Sequence, residues 1–244
     1  MTTPKSHRLP WVRLFAETVA IVLSILIAFA LDAWWDDRRE NAEQRRYLVA
    51  IAADFEANQE LLRRYESMYR EVDIGTRALI GMLEGPGPGA PVSVPDSLVT
   101  EAAFVATYDP SRAAYEDLLN GGGLASIRNE ALRHDLAAWP PQLEDAPKNE
   151  TFAATLVLEQ LLPTLGQSAD LKGVFDLFET YWVTQGFPDE WRNRTTEVLP
   201  TEPLVNLLRQ RAWRYWLTLE EFQRLHELQD SILSAIRTEI HGIR

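Results

Sequence analysis

Apolar positions along this chain fall into three patterns. From Leu14 to Leu31 they are almost unbroken, reading LFAETVAIVLSILIAFAL with only Glu17, Thr18 and Ser24 interrupting. At 1.5 Å per residue this is roughly 27 Å of helix. With its flanks from Trp11 to Trp35 it suffices to cross a hydrocarbon core of roughly 30 Å. Trp11 at one end and Trp34 and Trp35 at the other stand where interfacial aromatic anchors belong. From Leu48 the pattern changes to every third or fourth residue: Leu48, Ile51, Phe55, Leu62, Tyr65, Tyr69 and Val72, with Asn58 filling one polar slot. Leu79 and Leu83 continue the stripe past Thr76, and Gly75 and Gly81 weaken its last turns. This predicts one amphipathic helix of about 54 Å. A matching stripe closes the chain at Leu204, Leu208, Ala212, Tyr215, Leu219, Phe222, Leu225, Leu228, Ile232, Ile236 and Ile240. The two long helices are expected to pack antiparallel, each hiding the other's apolar face. A self-associating coiled coil with Asn58 setting its register is the alternative.

Shorter helices are expected between them. Ser97 is a candidate cap for one over 97–107, and Asp109-Pro110 opens another that ends at Asn120 before Gly121-Gly122-Gly123. A third spans about 124–139 and is stopped by Pro140-Pro141. Further helices are expected at 149–162, 168–185 and 188–195, with a Pro- and Gly-rich surface loop over about 85–96. No run of alternating β-branched residues with hairpin turns predicts a strand. The expectation is therefore an all-α protein: a short basic tail (1–13), a transmembrane helix (14–35) and an extramembrane helical bundle (36–244).

A cleaved signal peptide would need a small-residue site after a shorter apolar core, and Ala30-Leu-Asp-Ala-Trp-Trp-Asp36 is a poor one. A soluble core helix is rarely apolar on every face. A retained single span is expected. Its orientation rests on the basic residues that flank it: Lys5, Arg8 and Arg13 before, Arg38, Arg39, Arg45 and Arg46 after. This is close to a tie. The short tail holds no acid and would be awkward to translocate, so the N-terminus is expected in the cytoplasm and the large domain outside.

Composition narrows the function. The net charge of −12 argues against a nucleic-acid partner. There are no cysteines, which excludes disulfides, thiolate nucleophiles and Cys-based metal sites, and only four histidines: His7, His134, His226 and His241. The triple glycine lacks the Gly-Lys-Ser/Thr ending of a phosphate loop and follows no strand, so it reads as a helix cap. Glu130 with His134, and His226 with Asp230, are spaced i, i+4 but match no metal-helix motif, and read as surface pairs. Asp54-Phe-Glu56 and Glu220-Glu221 read as solvated faces. No nucleophile motif stands out. No catalytic residue, metal or cofactor is expected.

Within the span, Glu17, Ser24 and Leu31 are spaced by seven and share one face. A carboxylate there costs insertion energy unless it stays near the headgroups or meets a partner, and a serine lets a second helix approach closely. Eight tryptophans are many for 244 residues. Core packing accounts for most, but Trp213 and Trp216 are candidates for docking a partner or a bilayer surface.

The stretch from Glu17 to Asp36 resembles the N-terminal signature of an uncharacterised family of bacterial single-pass membrane proteins: Glu, then Gly or Ser seven residues on, an Ile-Leu-x-Ala run, then Asp or Asn and Trp. It matches at Glu17, Ser24, Ile25, Leu26, Ala28, Asp32 and Trp34, and weaker similarity extends over 110–133. The resemblance implies a bacterial origin and a helical domain after the anchor, and no activity. The function expected is a non-catalytic accessory or structural subunit of a larger bacterial membrane complex, photosynthetic or respiratory being the host considered. Its partners would be other membrane proteins, met through the helix, and the lipid bilayer, with a homo-oligomer left open. A membrane-tethered helical sensor or ligand-binding module and an enzyme of unrecognised type are the alternatives.

Overall fold

The computed structural model describes residues 11–85, 89–125, 127–177 and 193–242. The chain is all-α. The first helix, α1 (Trp11–Glu84), runs without a break through the apolar stretch and on through the first long stripe. Then come β1 (Val92–Pro95), α2 (Asp96–Ala103), α3 (Ala113–Asn120) and α4 (Glu130–Leu156). A π-helical turn (Val157–Leu161) joins α4 to α5 (Leu162–Ser168). A helical stretch at 172–177, β2 (Thr195–Val198) and the long α6 (Glu202–Gly242) follow.

α1 and α6 pack antiparallel. Gln44 donates to Glu239, Gln59 to Asp230, Arg237 pairs with Glu56 and Arg209 with Glu84, so rising numbers on one helix meet falling numbers on the other. Between them they bury Leu48, Ile51, Phe55, Leu62, Phe222, Leu225, Ile232 and Ile236. Asn58 does not face a second copy. It is buried, and its side chain clamps Ser111, donating to the carbonyl and accepting from the N–H, both at 2.8 Å. The intramolecular arrangement therefore uses the face that the coiled-coil alternative required.

Several local expectations are corrected. A two-stranded antiparallel ladder exists, β1 to β2, with Val92 opposite Val198 and Val94 opposite Thr196. Four residues per strand are too few for alternation to stand out from a Pro-rich loop. This ladder occupies part of the expected loop at 85–96 and the last residue of the expected helix at 188–195; 193 and 194 are not helical, and 188–192 lie outside the described residues. Helix α2 begins at Asp96 and ends at Ala103, with no side-chain cap from Ser97. α3 begins at Ala113 rather than at Pro110: the carboxylate of Asp54 on α1 accepts the Ala114 N–H at 2.9 Å and the Ser111 hydroxyl at 3.1 Å. Asp54 is thus a helix cap supplied from another element, not part of a solvated face. α4 starts at Glu130, where the Asn129 side chain caps the Leu132 N–H at 3.1 Å. It runs straight through Pro140-Pro141. The missing N–H groups cost helix stability, and the burial of Leu136, Trp139 and Leu143 on one face of this helix opposes that cost. The triple glycine does cap α3: Gly121 and Gly123 donate to Asp117 and Leu118 carbonyls at 2.9 Å, and Gly122 takes φ +70.

The core falls into two apolar clusters. One holds Leu48–Val72 of α1, Leu132–Leu143 of α4 and Tyr215–Ile236 of α6. The other holds Leu79 and Leu83 of α1, Val94, Val99, Val157–Leu165 and Leu204–Leu208 of α6. On each long helix the change of cluster falls at the same level.

Candidate functional site

Leu14–Leu31 of α1 is long and apolar enough to cross a membrane, and none of it is buried by the rest of the chain. Among the described residues of α1, the first buried side chain is Gln44. From Trp11 to Trp34 is about 35 Å of helix. All three proposed anchors are exposed, and the guanidinium of Arg38 lies 4.9 Å from the Trp34 ring centre.

Glu17, Ser24 and Leu31 are all exposed on one face, as expected. At 100° per residue Ala20 and Ala28 fall on that face too, which the sequence reading passed over. The opposite face carries Phe15, Val19, Val22, Leu26 and Phe29, all bulky and exposed. The two faces therefore differ: Glu17, Ala20, Ser24 and Ala28 are small or polar, with Leu31 the bulky exception, and the positions named opposite are all bulky and apolar. Ser24 donates its hydroxyl to the Ala20 carbonyl at 2.7 Å, so it leaves only a small apolar profile and its oxygen lone pairs on the surface.

Trp213 and Trp216 are 53% and 50% exposed. They wall a shallow groove of about 680 Å³ between α1 and α6, completed by Arg77, Ile80, Gly81, Glu84, Arg209 and Ala212. Arg77 is tied to Asp73 and Arg209 to Glu84, both within 2.9 Å. A bilayer around Leu14–Leu31 would therefore lie about 70 Å along the single helix α1 from these tryptophans. Trp139 is fully buried against Phe55 and Tyr115; Trp182 and Trp191 lie outside the described residues.

A third feature was not foreseen. Where the two apolar clusters meet, the core is polar. Glu150 of α4 is 2% exposed, and Arg211 of α6 is 1% exposed. The Glu150 carboxylate accepts the Tyr108 N–H at 3.1 and 3.0 Å and the Tyr69 hydroxyl at 3.2 Å. Arg211 donates to the Phe104 carbonyl, at the C-terminal end of α2, and to the Tyr215 hydroxyl. Its Nε and Nη1 are buried without hydrogen-bond partners. Tyr215 also donates to Phe104 at 2.9 Å, and Thr76 and Thr218 are buried at the same level. Burial pushes Glu150 up to about 7, against its hydrogen bonds from Tyr108 and Tyr69 and with help from Glu221. Glu101 of α2 is also pushed to about 7 by burial and by Glu71.

Of the two expected surface pairs, His226 with Asp230 forms, whereas Glu130 turns to Arg133. His226 lies 3.5 Å from Asp230, and Glu130 pairs with Arg133 at 3.6 Å. Glu221 is half-buried and accepts from Asn149, so it is not a solvated residue. Among the described residues no three acidic or His side chains are grouped to hold a metal ion. Comparison with family models, characterised proteins and solved structures finds no match to this chain.

Proposed function

We propose that this chain is a non-catalytic single-pass protein of the bacterial inner membrane. It acts as an accessory or structural subunit that associates laterally with other membrane proteins through the face Glu17, Ala20, Ser24, Ala28 and Leu31. The observation that carries this reading is the two-sidedness of an otherwise uncovered span. Lipid alone sets no demand for small residues and a carboxylate on one side and bulky residues on the other, whereas a second helix does. The bacterial origin rests on the resemblance of residues 17–36. The orientation, with the acidic domain in the periplasm, rests on the acid-free basic tail. The exposed Trp213–Trp216 groove, far along α1 from the span, offers a second contact for a large partner.

The test is purification in mild detergent with quantification of co-purifying membrane proteins. Glu17→Leu and Ser24→Leu are expected to reduce the partners' yield several-fold while the variants resist carbonate extraction as wild type does. Equal yields from both variants would refute the proposal, and release of the wild-type chain by carbonate would refute the anchor itself.

A further inference from the structure

Between the span and the extramembrane domain α1 forms a bare neck. Every residue from Asp32 to Glu40 is exposed, and the helix runs unbroken to Gln44, where the domain begins to cover it. Charge on this neck is divided by side. At 100° per residue, Arg38, Arg39, Arg45 and Arg46 all fall within about 60° of the line through Glu17, Ser24 and Leu31. Asp36, Asp37, Glu40 and Glu43 fall at least about 100° from it. The acidic side is the one turned to the domain: Asp37 pairs with Arg128 at 2.9 Å, and Gln44 on that side meets Glu239 at 3.2 Å. The arginine side is uncovered. All four arginines are exposed and none forms an ion pair among the described residues; Arg38 lies over the Trp34 ring and Arg46 over the Tyr47 ring. Along the middle of that side stand Trp35, Ala42 and Val49, spaced by seven and all exposed. An apolar line at this spacing, flanked by like charges, is the pattern of a helix seam.

Neither a topology signal nor lipid accounts for this division. The positive-inside rule counts arginines whatever side of the helix they occupy. The headgroup layer adds only about 5–7 Å beyond the hydrocarbon in each leaflet. Arginine side chains lean toward the helix N-terminus, so Arg38 and Arg39, about 10–12 Å of helix past Leu31, reach back to the phosphates. Arg45 and Arg46, at about 21–22 Å, stand clear of them. A second copy does not fit either, since two parallel copies would set arginine against arginine. In a chain of net charge −12, this strip attracts acidic groups where the rest of the surface repels them. We infer that this side of the neck seats an extramembrane helix of the same partner that meets the span, a helix whose apolar seam is flanked by Asp and Glu. The inference rests on the proposed span contact and extends it, because the two faces form one line along a single helix.

Zero-length carbodiimide coupling of the full-length protein in intact membranes of its native host tests this, with the branched peptides identified by mass spectrometry. Arg45→Lys and Arg46→Lys keep the charge and supply an amine that the reagent joins to a carboxylate in contact with it. Glu40→Lys places the same amine on the opposite side as a control. The two arginine variants are expected to give several-fold more intermolecular adduct than the control. The adducts are expected on Asp or Glu of a different protein, roughly 10–20 residues past the end of one of its transmembrane helices, and on the same protein that a photoreactive residue at position 24 captures. No intermolecular protein adduct from either arginine position, adducts no more abundant than those of Glu40→Lys, or adducts to a second copy of this chain would each overturn the inference. Protein adducts from position 24 with none from the neck would overturn it and leave the span contact standing; the absence of both would remove the span contact as well.

Discussion

Arg211→Met should make this protein more stable. The guanidinium is fully buried, and no carboxylate is paired with it among the described residues. Its gains are a charge-assisted bond to the Phe104 carbonyl, contact with the Tyr215 hydroxyl, and a ring centre 3.8 Å from the guanidinium carbon. Such bonds contribute about 1.5–3 kcal/mol each and the cation–ring contact about 2. Against this stand the desolvation of a full charge, several kcal/mol even after relaxation, and two orphaned donors at about 1–3 kcal/mol each. Burial is also the largest influence on Arg211, lowering its pKa. Methionine keeps the straight stem and the volume. The Phe104 carbonyl stays satisfied, because Tyr215 still donates to it at 2.9 Å. No charge is orphaned by the change. The expected gain is about 1–3 kcal/mol, or roughly 2–10 °C in Tm for a chain of this size. Thermal unfolding of full-length protein in detergent, followed by tryptophan fluorescence, reads it directly. A lower Tm for Arg211→Met would refute the reasoning and mean that the arginine is a net stabiliser.

Gly81→Ala should stabilise by about 1 kcal/mol, since a Cβ there meets nothing within 4 Å. Gly75→Ala should destabilise in the same thermal assay, because its Cβ would fall 1.6 Å from Glu101 Oε2. Trp139→Ala should cost about 3–5 kcal/mol by emptying a fully buried site, whereas Trp213→Ala, on the half-exposed groove wall, should cost less than about 1. Stability should fall as pH rises. Glu101 and Glu150 bind protons more tightly folded, near 7, than at the ordinary value of 4.5. Their contribution is full below about 4.5 and lost through about 7, at a slope approaching about 1 kcal/mol per pH unit per group. Denaturant titrations at pH 5 and 7.5 check the sign.

The long helices were legible because burial against one neighbour leaves a 3.6-residue record, and Leu48–Leu83 and Leu204–Ile236 keep it. The apolar stretch Leu14–Leu31 was legible as a helix by its unbroken apolar run, and none of it is buried against the rest of the chain. Glu17, Ser24 and Leu31 stood out as polar or spaced, while Ala20 and Ala28 needed the whole wheel to be drawn. The polar layer was not legible. Arg211 flanks an apolar stripe, where an arginine ordinarily reaches water, and its acceptor is 107 residues away. Glu150 ends the polar run Glu144-Asp-Ala-Pro-Lys-Asn, which reads as solvated helix. The end of α4 was missed because local proline chemistry was weighed without the packing of Trp139, and the start of α3 because its cap comes from Asp54, nearly sixty residues earlier.

A photo-crosslinking scan of the span in intact membranes tests the central claim most directly. A photoreactive residue is placed in turn at positions 17, 20, 24, 28 and 31 and at positions 15, 19, 22, 26 and 29. Lateral association through the small, polar face predicts protein adducts from the first set and lipid adducts alone from the second. Equal adducts around the helix, or protein adducts only from the bulky face, would contradict it.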